Sequence, residues 1–241
     1  MAMVIDLMPR YVYVLAAVLL AAGLVAAEPV GAQVTAGTPV TLGSGPVGSV
    51  QAWGGNITSV NLAINSTTLH WQAFYGNVSA GLRLASNQSG QTYTVKSWTV
   101  DNLRGQIYVS RSSNIDFSNL SSVDPSINNL DTAFPFLSGA NDRANNTGSD
   151  NANPALTVGP YSIAANTRPI IQTNNGNNSA AWTQVVLNYN DVTSATNYVF
   201  SVPINASGNA YDNTSANYQA MVPANATTGS AVTYYFYGEI Q

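Results

Sequence analysis

Apolar and polar residues alternate along most of this chain with a period of two, the repeat that sends successive side chains to opposite faces of a strand. In residues 59–64, Val60, Leu62 and Ile64 share one face. Residues 69–75 set Leu69, Trp71, Ala73 and Tyr75 against His70, Gln72 and Phe74. Residues 77–85 group Val78, Ala80, Leu82 and Leu84 against Ser79, Gly81 and Arg83. Further alternating stretches lie at 92–100, 106–111, 154–163, 181–189, 197–204, 217–222 and 231–237. The separators are rich in Asn, Gly, Ser and Asp, the residues of tight turns. So many short strands at regular spacing predict an all-β chain, an antiparallel β-sandwich of jelly-roll or immunoglobulin-like type. One short helix fits near 118–130, with Ser122 as its cap and Pro125 in its first turn. Residues 138–154 lack apolar periodicity and read as a long surface loop.

The first residues break this pattern. Arg10 precedes an uninterrupted run of apolar and small residues over 11–27, and Glu28-Pro29 ends it. Val30-Gly31-Ala32 before Gln33 resembles a small-residue cleavage motif, so residues 1–32 read as a secretory signal peptide. A retained membrane anchor is the competing reading, because the run approaches the ~17 residues a span needs. With the signal removed, no membrane segment is expected. Residues 33–47 are uncharged, small and held extended by Pro39 and Pro46. Residues 48–241 then form a single sandwich domain.

Charge changes the picture most. Only 7% of residues are charged and the formal net charge is −4, against ~25% charged in ordinary globular chains. No basic patch exists to release phosphate counterions, which excludes nucleic acid as a partner. Cysteine is absent, so disulfides and thiolate chemistry are excluded. No charged residue occurs between Glu28 and Arg83, between Asp191 and Asp212, or between Asp212 and Glu239. Sheet edges are normally protected by charges. These strands are therefore interior, covered, or meant to pair with another chain.

Ten Asn-x-Ser/Thr sequons begin at Asn56, Asn65, Asn77, Asn87, Asn119, Asn145, Asn177, Asn205, Asn213 and Asn225. They fit a secreted, cell-surface protein whose solubility comes from covalent N-glycans. Asn56, Asn77, Asn145 and Asn213 lie in or beside expected turns.

Catalytic chemistry finds little support. His70 is the sole histidine, and no Gly-x-Ser-x-Gly elbow accompanies it. It reads as a strand histidine. No pair of carboxylates suggests a glycosidase. Asp142, Asn145, Asn146 and Asp150 share one polar loop and carry oxygen ligands suited to Ca²⁺. Their spacing is not that of an EF-hand, and a solvated loop is the better reading. Trp71, Phe74, Tyr75, Trp98, Trp182, Tyr234, Tyr235 and Tyr237 form a sugar-stacking platform only if they gather on one surface. Most sit on alternating strands, where core packing is the default. No catalytic residue, metal or cofactor is assigned.

Residues 71–85 (WQAFYGNVSAGLRLA), 105–113 (GQIYVSRSS) and the ending YQAMVP…TYYFYGEI resemble a family of secreted archaeal β-sandwich surface proteins. In that family a Trp-Gln-x-Phe-Tyr-Gly-Asn-Val-Ser segment and a Tyr-Tyr-Phe-Tyr block recur. The combination of signal, sequons and uncharged N-terminal segment is also similar to archaeal extracellular filament subunits, such as bundling pili and threads. That resemblance implies a head-to-tail homopolymer assembled by donor-strand complementation. Residues 33–47 are then the candidate donor strand, with Val34, Ala36, Val40 and Leu42 lining a neighbour's groove. A heterologous contact of this kind does not close and grows a filament. The alternative is a monomeric cell-surface adhesin or carbohydrate-binding β-sandwich. A filament subunit leaves its N-terminal segment projecting from its own sandwich, whereas an adhesin folds it back.

Overall fold

The computed structural model describes residues 28–40, 49–63, 66–88, 90–101, 103–120, 126–189, 194–224 and 231–241. Of the expected signal peptide, residues 1–32, residues 1–27 lie outside them, as do Leu42, Ile64, Asn65, Ser122, Pro125 and Asn225.

The chain is an all-β sandwich. Its main sheet is antiparallel and seven-stranded, in the order β1 (Val30–Gly31), β13 (Tyr235–Ile240), β5 (Gly105–Ser110), β11 (Tyr198–Pro203), β10 (Ala180–Asn188), β9 (Ile170–Asn174) and β6 (Gly148–Ser149). The central strands are covered on both faces, so their residues alternate between two cores. Ile107, Val109, Ile171, Trp182, Val186, Tyr198, Phe200 and Val202 pack into the first. Tyr108, Ile170, Val185, Leu187 and Val199 pack into the second. Burial on both faces gives near-continuous apolar runs, which is how residues 185–187 read.

The first core is closed by β2 (Trp71–Gly76) paired to β12 (Tyr218–Pro223), and by α1 (Ile127–Ala133) and α2 (Ala144–Thr147). The second is closed by the hairpin of β7 (Leu156–Val158) and β8 (Tyr161–Ile163) and by Phe117 and Leu120 beside a 3₁₀ turn, Phe117–Asn119.

Buried polar side chains stitch the layers. Gln184 on β10 bonds the main chain of Met221 on β12, donating to its carbonyl at 2.7 Å and accepting from its N–H at 3.0 Å. Glu239 is buried, and no salt bridge to it is found among the described residues. It accepts instead from the Tyr108 hydroxyl at 2.6 Å, the Gly159 N–H at 3.1 Å and the Gln241 side chain at 3.0 Å. Burial, with Glu239 beside it, pushes the Tyr108 phenol far above its ordinary value.

Several expectations are corrected. The helix begins at Ile127, capped by Ser126, whose hydroxyl accepts from the Asn128 N–H at 3.4 Å. Residues 138–154 contain α2 and β6, because Asp131 accepts from the Ala144 N–H at 2.9 Å and pairs with Arg143. In β2 the phase reverses after Trp71. Phe74 packs inward against Phe236, 5.3 Å between ring centroids, while Ala73 and Tyr75 face out. Residues 59–63, the described part of the expected strand 59–64, form no strand and have no pairing partner among the described residues.

Two elements stand outside the packed layers. Every described residue from 31 to 69 is exposed. So is every described residue of the hairpin of β3 (Gly81–Gln88) and β4 (Gln91–Thr99), which pair with each other and no other strand among the described residues.

Candidate assembly surface

His70 anchors one end of β2. The ring is buried, with Nδ1 2.8 Å from Asp142 Oδ1 and Nε2 accepting from the Leu137 N–H at 3.3 Å. Since Nε2 accepts, Nδ1 carries the proton and donates to the carboxylate. The Thr68 hydroxyl donates to the other carboxylate oxygen, and Trp71 Nε1 donates to the Asp142 carbonyl at 2.6 Å. Phe136 packs on both rings. Burial raises the Asp142 carboxyl, but the hydrogen bonds from Thr68 and His70 outweigh it and hold the group below its usual range. Both imidazole nitrogens are committed within the protein, so the cluster is a structural latch joining the chain entering β2 to the 134–143 segment.

The other sequence candidates are dispersed. Asp150 caps α1 by accepting from the Ile127 N–H at 2.7 Å and the Ser126 hydroxyl at 3.2 Å. The Asn146 amide donates to the carbonyls of Ala140 and Asn141, and Asn145 is exposed on α2. Asp142 and Asp150 thus spend their oxygens on the fold. Among the described residues no three His, Cys, Asp or Glu side chains gather as a metal site. Trp71 and Trp182 are buried, and Phe74, Tyr234 and Tyr237 are partly buried against the cores. Tyr75, Trp98 and Tyr235 are exposed, but on β2, β4 and β13 respectively. The aromatics form no platform.

Sheet registers place the roots of the exposed arm and of the exposed hairpin at opposite poles. The arm leaves the main sheet where the Ala32 N–H donates to the Phe236 carbonyl, at the Tyr235 end of β13. It re-enters at His70, whose carbonyl accepts from Ala224. These two roots meet through Tyr234, whose hydroxyl donates to the Pro223 carbonyl at 2.5 Å, with Pro223 paired to Trp71. The hairpin leaves from Gly76, at the other end of β2, and returns at Gly105, beside Ile240 at the other end of β13. Its roots are also tied together. Ile204 N–H donates to Gly105, Asn205 N–H to Asn217, and Asn217 N–H to Gly76. Gly105 has φ +132, and a Cβ there would meet the Glu239 carbonyl, so only glycine closes this root. The poles stand about 20 Å apart, the length of a six-residue strand.

The hairpin is amphipathic. Register sets Leu82 opposite Trp98, Leu84 opposite Lys96 and, past an irregularity at Leu84/Ala85, Ser86 opposite Tyr93. Leu82, Leu84, Tyr93 and Trp98 therefore share a face, which is bare: Leu82 and Leu84 are 56% exposed and Trp98 49%. Arg83 and Ser97 lie on the reverse. The donor candidates Val34, Ala36 and Val40 are exposed in the arm, as are Trp53, Ile57, Val60 and Leu62.

The sequon asparagines differ in access. Asn56, Asn77, Asn87, Asn145, Asn177, Asn205 and Asn213 are exposed. Asn119 is partly buried and its amide donates to Asp116. Asn213 has φ +65 in a tight turn, a conformation asparagine tolerates.

No protein-family profile, curated protein or solved structure matches this chain.

Proposed function

We propose that this protein is a secreted, N-glycosylated structural subunit of an extracellular filament, assembled head to tail from copies of itself by strand donation, and that it performs no catalysis. The observation that carries this reading is the arm. Every described residue of 31–40, 49–63 and 66–69 is exposed, outside the sandwich the same chain builds. Such a stretch is far longer than the ~12–15 residues of ordinary unstructured loops, a length found in functional segments and in linkers. It holds no charge, so it would bring no charged group into an apolar groove. Residues 33–40, the described part of the donor segment, belong to no strand among the described residues and are exposed.

The test is negative-stain electron microscopy of the purified protein with and without residues 33–47. Filaments from the full chain and none from the shortened one support strand donation. A full-length protein that stays monomeric defeats it in favour of a monomeric surface adhesin.

A further inference from the structure

We propose that the β3–β4 hairpin is the acceptor for the arm of the next copy, whose apolar residues cover the bare face of Leu82, Leu84 and Trp98. The proposal rests on the filament reading and names the surface where its junction forms.

A two-stranded ribbon is marginal in water unless its apolar face is covered or a third strand joins it. This ribbon has neither, and it points Tyr93 and Trp98 at solvent beside its two leucines. Nothing within the described fold packs on it, although the arm of the same chain carries the matching surface. In the donor segment Val34 and Val40 are 58% and 81% exposed, and with Ala36 they supply apolar side chains that nothing in the described fold covers. The second layer's other candidate edge, β2, offers Tyr75 as its one large exposed apolar side chain.

Two observations select a second copy as the occupant, and its arm as the segment. The arm and the hairpin are rooted at opposite poles, so copies stacked along that axis bring the root of one arm toward the hairpin root of the next. Such a contact is heterologous and repeats without closing. Charge then decides between the arm and another hairpin. Lys96 pairs with Leu84 on the apolar face, and residues 81–99 carry no acidic group. Two hairpins stacked face to face would bury two lysines together without a counter-charge, which is strongly unfavourable. The uncharged arm buries none and leaves the single ammonium free to reach solvent at the rim.

The chain has no cysteine, so introduced thiols report on one contact. Val40→Cys and Leu84→Cys are prepared as separate proteins, both at exposed positions whose substitution leaves the cores intact. They are mixed, assembled, treated with a short bismaleimide and run on a denaturing gel, with the same samples viewed by electron microscopy. The expected result is a cross-linked dimer from the mixture and none from either protein alone. The double variant should give a ladder. Filaments without a cross-link in the mixture overturn the proposal. So does a dimer from Leu84→Cys alone, which means stacked hairpins, or a compact cross-linked monomer from the double variant, which means an arm folded on its own hairpin. A cross-link captured by Tyr75→Cys and not by Leu84→Cys moves the acceptor to β2. Absence of filaments from the unsubstituted protein instead removes the filament reading itself.

Discussion

Gln184 is the residue whose replacement best tests how the two layers are held together. Its side chain is 1% exposed and acts as a short false strand along the outer edge of β12, satisfying both main-chain groups of Met221. Gln184→Leu keeps the size and removes both bonds. Each buried main-chain group left without a partner costs about 1–3 kcal/mol. Met221 is only half-buried, so water recovers part of that, and the added apolar burial returns about 1 kcal/mol. The net loss is roughly 2–3 kcal/mol. For a domain of this size that lowers Tm by about 5–10 °C. Urea unfolding followed by tryptophan fluorescence reads it, because Trp182 lies two residues away on the same buried face of β10. Gln184→Glu sharpens the test. Its carboxylate still accepts from the Met221 N–H but faces the Met221 carbonyl with a lone pair. This variant should be less stable than the leucine variant at neutral pH. It should recover relative to the natural protein as the pH falls, when the protonated acid donates to that carbonyl. A leucine variant within ~0.5 kcal/mol of the natural protein, or a glutamate variant with no such recovery, refutes the account.

Alkali should unfold the protein through its buried phenols. Burial, partly offset by Arg111, pushes Tyr234 up to about 12, and burial beside Glu239 pushes Tyr108 in the same direction. A raised folded value means that the stability is fully present below pH ~10, where the unfolded phenol titrates, and is lost as the pH climbs toward the folded value. Tyr234 contributes about 2 kcal/mol of this loss after allowance for partial exposure, and flat urea stability between pH 9 and 12 contradicts it. Processing is a second point. Pro29 is buried, Val30 and Gly31 pair with Gly238 and Tyr237, and Ala32 bonds Phe236. On the secreted reading proposed above, the expected cut before Gln33 would discard β1 whereas a cut after Val25-Ala26-Ala27 preserves these contacts, so N-terminal sequencing of protein recovered outside the cell should begin at Glu28, and a start at Gln33 contradicts this. Glycopeptide mass spectrometry should find glycans at Asn56, Asn77 and Asn213 and an empty Asn119, whose amide is held by Asp116; full occupancy of Asn119 contradicts the structural ranking.

Alternation reports on a strand only where one face is dry and the other wet, which decides what could be read from this chain. The hairpin at 81–99, β5, and the strands from β10 to β13 lie in segments that alternation or turn chemistry marks out. β9 escaped, because Pro169-Ile170-Ile171 is apolar without alternating, one isoleucine feeding each core. Residues 59–63 alternate as well as any strand here, yet stand unpaired. Alternation marks competence to join a sheet, and the partner must come from elsewhere in space. The phase of β2 was hidden for a related reason. Tyr75 is as apolar as Phe74 by composition, but its ring finds Tyr211 at the surface, 5.4 Å between centroids, while Phe74 finds Phe236 inside. His70 was legible as structural from its isolation, though its partners were not, since Thr68 is local and Asp142 is 72 residues away.

The two exposed elements on which the proposed assembly rests were half legible. The run without charge from 29 to 82 pointed to the arm, because a solvent-facing segment normally carries charges to keep it from pairing. The hairpin gave no such warning. Arg83 and Lys96 make it look protected, and its leucines and Trp98 look like core. The registers overturn that impression. Lys96 shares a face with those apolar residues, Arg83 lies behind them, and the ribbon projects from the pole opposite the arm. Each of the two exposed surfaces lacks what the other has. One is extended chain without a sheet, and the other is a sheet too narrow to cover its own apolar face. In a single copy both would stay wet at a cost proportional to their exposed apolar area. In the junction proposed above each surface would cover the other, and because that contact is heterologous it would repeat from copy to copy.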